Sequence, residues 1–409
     1  MTAFVDPIAM QHRLFAELSR MFGEEVPLYD RSLLVNRECN RTVCRLLAHR
    51  HRGFSITDEQ VDQGSAERHG AIRIGRPDEY RWIARFFAIF GMEPHGFYDM
   101  TAVGAKSQPV IATAFRSMVR PEHRVFTSLL QTACFDAATR DRIESLLAGR
   151  EVFSPEARRL VEKAEADGGL DHDDAEALVR EATTRIFCWT GQARDHALYE
   201  ELCRAGFKIA ADIACFERHH LNHLTPNTFC MDLYTAAMKH AMGERDADRF
   251  LADAESALEQ LAEEATADWM ILHFKHLSPE QVDAMEPGEI PAGAIRSLAA
   301  DLVDRFRQPD LDFSGLGHQG FKDHTEGPPT GVPVLLRQDA YRALPEPVRF
   351  LEADGRVIEA EHTARFGEIE QRFHATTPAG RELYDRCLAE AEQRPADEAF
   401  APFQRTLPE

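Results

Sequence analysis

Apolar residues near the start of the chain recur at helical spacing, with Leu14, Phe15, Leu18, Met21 and Phe22 on one stripe. Gly23 stands where a C-terminal cap would close that helix. A second stripe, Trp82, Ile83, Phe86, Phe87 and Phe90, predicts another helix whose aromatic face packs a core. The HGAIRIG segment beginning at His69 alternates around β-branched residues and reads as a strand, as do Ile209–Phe216, Val332–Arg337 and Thr363–Gln371. Acid-rich helical patterns fill 156–168 and 172–187. Further on, Leu251, Ala254, Leu258 and Leu261 share one helix face, and Pro291 can open a helix with the stripe Ile295, Leu298, Leu302 and Phe306. Strands and helices together predict an α+β protein with a helical segment over 233–316.

Composition narrows the class. A chain of 409 residues with 44% apolar content can build one large or two ordinary domains. Its wholly apolar runs are only a few residues long, and MTAFVDPIAM lacks the basic and apolar regions of a signal peptide, so a soluble cytoplasmic protein with no membrane partner is expected. Eight cysteines without CxxC spacing read as reduced thiols. A net charge of −21 without a basic, aromatic-interleaved patch argues against nucleic acid. The same field repels acidic metabolites, so an acidic substrate needs local cations such as Arg73. The glycine-rich SGLGHQG at Ser314–Gly320 lacks the lysine of a phosphate-binding loop and reads as a hinge.

Three words carry the chemistry: HGAIR at His69–Arg73, HLNHLTP ending at Pro226, and HTARFGEIEQR at His362–Arg372. Two histidines and one carboxylate on one face of an octahedron are the usual ligands of oxygen-activating non-haem iron. The candidates are His69, His223 and a glutamate of FGEIEQR. On a strand Glu368 and Glu370 share a face about 6.6 Å apart, with Arg372 continuing it. His219 and His223 have the spacing of a helical zinc pair, but no HExxH occurs and Pro226 opposes a long helix, which disfavours zinc hydrolysis. Arg73 follows His69 on one strand face with Cα atoms about 13 Å apart, leaving space for a short acyl chain between guanidinium and metal. A structural ion pair is the competing role for Arg73.

At these words, and in RVFTSLL (Arg124–Leu130), EGPP (Glu326–Pro329), VPVLLRQ (Val332–Gln338) and TPAGRELYD from Thr377, the chain resembles the 2-oxoadipate dioxygenase/decarboxylase family, also called hydroxyglutarate synthase. The resemblance covers residues 5–232 and 317–405. It implies a fold related to the vicinal-oxygen-chelate superfamily, a β-sheet core around a metal with many surrounding helices. Residues 1–232 become the first part of the metal-binding core, 233–316 a helical insertion, and 317–409 a return that supplies the carboxylate strand. The implied ligands of Fe(II) are His69, His223 and Glu370, with Glu368 behind Glu370 or in its place, and Arg73 holds a substrate carboxylate. Asn227 stands where members more often have arginine.

The partners implied are a small carboxylic acid and O2. A 2-oxo acid chelates the iron, loses CO2 and is hydroxylated, turning 2-oxoadipate into 2-hydroxyglutarate without external 2-oxoglutarate. Typical members extend further at the C-terminus, and the insertion is the added material that can close such a gap. It is therefore expected over the mouth of the metal site, with 2-oxoadipate a secondary substrate. Alternatives are a related iron oxygenase acting on another amino-acid-derived acid, or a metal-binding scaffold without turnover.

Overall fold

The structure, a computed structural model, describes residues 4–101, 108–117, 123–218, 220–274, 276–307, 313, 318–326, 334–341, 345–362 and 368–374. Side chains of 27–28, 68, 95–99 and the three strands within 318–374 that precede and follow 345–362 lie outside that description. In chain order the elements are α1 (Pro7–Glu25), α2 (Pro27–Arg50), β1 (His51–Arg52), α3 (Asp58–Gly64), β2 (Glu67–Ile74), α4 (Pro77–Ile89), β3 (Met92–Asp99), β4 (Val110–Ser117), β5 (Arg124–Leu130) and α5 (Ala137–Ala148). Next come α6 (Pro155–Asp167), α7 (His172–Glu181), β6 (Gln192–Arg194), α8 (His196–Arg204), α9 (Lys208–Cys215), β7 (His223–Pro226), α10 (Met231–Ala241), α11 (Ala247–Glu264) and α12 (Ala267–His273). The last are α13 (Pro279–Asp283), β8 (Glu286–Pro287), α14 (Ala294–Arg305), β9 (His318–Glu326), β10 (Val334–Tyr341), β11 (Glu346–Leu351), β12 (Val357–His362) and β13 (Glu368–His374).

The α+β class is as the sequence predicts. A five-stranded sheet runs in the order β3-β4-β5-β2-β7, with β5 and β2 parallel and every other neighbour antiparallel. One face of it is covered by helices: Ile72, Ile74, Phe115, Val125 and Leu224 share a core with Phe22 of α1 and Phe86 and Phe87 of α4. Each such buried phenylalanine stabilises the layer by about 1.5–3 kcal/mol. Local signals set these helices. Asp6 accepts from the backbone N–H of Ile8 and Ala9 to start α1, and the Glu79 carboxylate accepts from Gly75 and Arg76 N–H to start α4. Three smaller sheets, β13-β10-β9, β12-β11-β6 and β1-β8, complete the strands.

Segment 233–316 does not stand apart. Its helices α10, α11, α12 and α14 share one core with Val35, Cys39, Val43 and Leu47 of α2, and α12 also lies against the backbone of β13. The stripe Ala254, Leu258 and Leu261 is buried as predicted, whereas α14 begins after Gly293 rather than at Pro291. None of the described helices is long and apolar enough to cross a membrane.

Several element predictions need correction. Helix α1 passes through Gly23 and ends at Glu25, where the Val26 N–H bonds Phe22 O. Gly23 faces Asp30 of α2, where a Cβ would make ordinary contact at 3.4 Å. Ile209–Phe216 is not a strand but helix α9, with all of Ala210–Cys215 buried. A continuously buried run has no polar face to reveal its period, and its alanines favour helix. Residues 314–317 of the proposed hinge lie outside the described residues, while His318–Gly320 already belong to β9. Strand β10 starts at Val334, and β13 at Glu368, with 363–367 outside the described residues.

Candidate metal and substrate site

Alternation along β2 turns Gly70, Ile72 and Ile74 toward the helical core and His69, Ala71 and Arg73 to the opposite face. Antiparallel pairing sets His69 opposite Thr225 and Ala71 opposite His223, so the two histidines are diagonal neighbours across β2 and β7. Their ring centroids are 5.5 Å apart at an interplanar angle of 86°. On the opposite face of β2, a Cβ at Gly70 would sit 3.2 Å from Leu221 Cδ1 and 3.4 Å from His223 O, so glycine there leaves room for Leu221. A ring nitrogen about 2.1 Å from a metal puts its ring centre about 3.3 Å away, so rings sharing one ion have centres within about 6.5 Å. The histidine pair meets that bound. With β7 a strand, the helical His219/His223 pairing is excluded for His223, and His219 itself lies outside the described residues. His220 turns inward, 2% exposed, against Trp189 and Phe216.

The carboxylate prediction falls on β13. Its backbone pairs Glu370 with Gln338 and Glu368 with Ala340 of β10, and it lies against β7, the His223 strand. The side chains of Glu368, Glu370 and Arg372 are outside the described ones. Among the described residues no three His, Cys, Asp or Glu side chains converge as a metal group.

Cations cluster on the same sheet face. Arg124 lies directly across from His69 in the parallel β2/β5 pair and Arg116 across from Arg124 on β4; they are 1% and 8% exposed. Arg124 Nη2 is 3.5 Å from His69 Nδ1, and Phe126 packs edge-on to His69 at 5.4 Å. Arg124 opens the RVFTSLL word, but nothing in the pattern around it sets it apart from the chain's other arginines as a site residue. Arg124 and Arg116 thus place two buried guanidiniums beside His69 on this face.

Arg73 is ion-paired with Asp212 of α9, whose side chain is 1% exposed. Asp212 Oδ1 also lies 3.6 Å from Nε2 of buried His362, and the His362 Nδ1 meets the Tyr199 hydroxyl of α8. Trp189 stacks on His362 with centroids 5.8 Å apart, and Phe216 packs against it. Burial pulls the Arg73 guanidinium down to about 10, which leaves it a cation at neutral pH, and burial pushes the Tyr199 phenol up. Of the two roles weighed for Arg73, the structural ion pair is present, and 17% of its side chain stays exposed. Asp212 gives no signal in the sequence, because its stretch reads as a strand rather than as the helix that aims it at Arg73.

Asn227 is buried and structural. Its Nδ2 donates to Gly64 O at 3.0 Å, and its carbonyl accepts from Asn36 Nδ2 at 2.9 Å and Asn40 Nδ2 at 3.3 Å. These bonds fix the end of β7 to α2 and α3.

The sequence pattern of the 2-oxoadipate dioxygenase/decarboxylase family matches residues 14–248 and 309–408. The chain belongs to that family. The break in the match, residues 249–308, falls inside segment 233–316. A 2-oxoadipate dioxygenase/decarboxylase of Pseudomonas putida is 34% identical over 393 residues, covering 94% of this chain and 67% of the relative. One from Mycobacterium bovis is 32% identical over 393 residues, covering 94% and 74%. Among solved structures, the Pseudomonas putida hydroxyglutarate synthase in complex with 2-oxoadipate superposes with a TM-score of 0.61 at 29% identity, covering 98% of this chain and 76% of that one.

Proposed function

We propose that this protein is a non-haem Fe(II)-dependent dioxygenase that decarboxylates and hydroxylates a 2-oxo acid bearing a second carboxylate, 2-oxoadipate being the reference substrate. The observation that carries this reading is the paired imidazoles of His69 and His223 on a sheet face shared with buried Arg124 and with Arg73, in a chain of this family. His69, His223 and Glu370 would hold the iron, with Glu368 the alternate; two nitrogens and a carboxylate suit Fe(II). When bound, the metal supplies activation of O2 coupled to loss of CO2.

The chain's own residues do the rest. Arg73 holds the distal carboxylate, since a guanidinium fork matches a carboxylate. Arg124, beside His69, compensates the charge of the carboxylate at the oxo-acid end. Phe126 and the buried surroundings of His69 exclude water from that end. The overall reaction balances as 2-oxoadipate plus O2 giving 2-hydroxyglutarate plus CO2, so the substrate supplies all the electrons.

Iron-loaded protein should consume O2 and release CO2 in equal amounts from 2-oxoadipate without added 2-oxoglutarate. A strict requirement for 2-oxoglutarate as co-substrate, or no O2 uptake with any 2-oxo diacid, defeats the reading. A second reading, a related oxygenase for a different acid, draws on α12 of segment 233–316 lying against β13. Assaying aliphatic and aromatic 2-oxo acids side by side separates the two.

A further inference from the structure

We propose that Asp212, His362 and Tyr199 are positioning residues for Arg73, and that together they make the site selective for substrates with a distal carboxylate. The inference rests on the proposed role of Arg73 and deepens it.

Four elements meet here: β2 brings Arg73, α9 Asp212, β12 His362 and α8 Tyr199. The donors and acceptors run in one direction. In the tautomer with the proton on Nε2, His362 Nδ1 accepts from the Tyr199 O–H it meets and Nε2–H faces Asp212 Oδ1 at 3.6 Å, while Asp212 Oδ2 ion-pairs with Arg73 Nη1. Trp189 on one side and Phe216 on another hold the His362 ring, and His362 and Asp212 are both almost fully buried. A long arginine side chain on a strand otherwise samples many rotamers, and ordering it costs entropy each time a ligand binds. Here that cost is met on folding.

The charges add a second consequence. Arg73 and Asp212 neutralise one another, so a bare guanidinium does not draw in every anion. A carboxylate gains only when it reaches the remaining N–H donors in the right plane. Selectivity for a diacid over a monoacid then depends on the angle that Asp212 imposes, and that angle depends on His362 and Tyr199 behind it.

The test uses full-length iron-loaded protein and the variants Tyr199→Phe and Asp212→Asn. The diacid 2-oxoadipate is compared with the monoacid 2-oxohexanoate, and binding of adipate with that of hexanoate by calorimetry. Asp212→Asn should raise KM for the diacid about tenfold and Tyr199→Phe about threefold, the scale of weakening one charge-assisted hydrogen bond. The change should sit in KM rather than kcat, and KM for the monoacid should not follow it. In an Arg73→Gln background neither substitution should weaken diacid binding further. Equal losses for diacid and monoacid, or losses that persist undiminished in Arg73→Gln, overturn the proposal. Asp212→Asn leaves a buried cation without its counter-charge and can fail to fold. Tyr199→Phe keeps both charges and decides alone in that event. The adipate measurement is independent of turnover: if wild-type protein binds adipate no better than hexanoate, the positioning proposal fails, whereas absent O2 uptake with intact adipate preference defeats only the oxygenase reading.

Discussion

The two ends of strand β2 are finished in different ways. At the His69 end the neighbours are strands of the same sheet: β7 brings His223 diagonally across and β5 brings Arg124 directly across, so backbone hydrogen bonding fixes their spacing. At the Arg73 end β5 still pairs through the backbone, with Ser128 opposite Arg73, but the residues linked to the guanidinium come from a helix, a strand of another sheet and a second helix, through side chains. Ladder register tolerates little drift, because a one-residue slip turns every side chain to the other face. A side-chain network drifts by fractions of an ångström when one member changes. The proposed metal end is therefore an all-or-none construction, and the proposed carboxylate end a graded one.

The largest effects should come from the His69 end. His69→Ala or His223→Ala should remove iron from the purified protein and bring turnover below detection, read by elemental analysis and O2 uptake. Glu370→Ala should do the same. Glu368→Ala should weaken metal affinity by only about ten- to a hundredfold, as loss of an outer partner does. Full iron in Glu370→Ala beside loss in Glu368→Ala reverses the two assignments.

Gly70→Ala tests whether backbone approach sets the imidazole pair. Leu221 must yield a few tenths of an ångström to the new methyl. A destabilisation of about 1–3 kcal/mol is expected from such overpacking, with iron affinity falling alongside. Normal iron affinity with lowered melting temperature would separate the spacing from the metal.

At the other end, Arg73→Ala should lower kcat/KM for a diacid by roughly one to two orders of magnitude, matching about 1.5–3 kcal/mol for a charged hydrogen bond, while iron content stays full. Loss of iron in that variant would erase the distinction between the two ends. The smallest effect on the site should follow Leu258→Ala in α11. It should cost about 2–5 kcal/mol of stability through the cavity left in the core shared with α2, yet leave KM for the diacid unchanged. The expectation that segment 233–316 covers the mouth of the site rests on its size. Its helices pack onto α2, and α12 lies against the backbone of β13. A raised KM in Leu258→Ala would restore the cover.

Much of this architecture is legible in the order of residues along the chain. The helix stripes at Leu14–Phe22 and Leu251–Leu261 and the alternation at His69–Ile74 appear as helices and a strand. The exceptions have separate causes. Gly23, which reads as a helix end, lies within a helix, because a glycine is only a weak local stop. Ile209–Phe216, which reads as a strand, is a helix, because its buried run shows no polar face from which to read the period.

What the sequence determined by itself is everything with a period or a word: which face of β2 carries His69 and Arg73, which stripes are buried, and which family the motifs resemble. Local sterics and amphipathicity act over a few residues, so a few residues suffice to read them. Only the tertiary structure decided that His223, 154 positions after His69, lies diagonally beside it, that Arg124 stands across from it, and that Arg73 is held by Asp212 through a chain ending at Tyr199. Those pairings join segments that share no local pattern. They exist because burying the apolar faces of separate elements fixes where their polar residues meet, and that is a property of the packed chain as a whole.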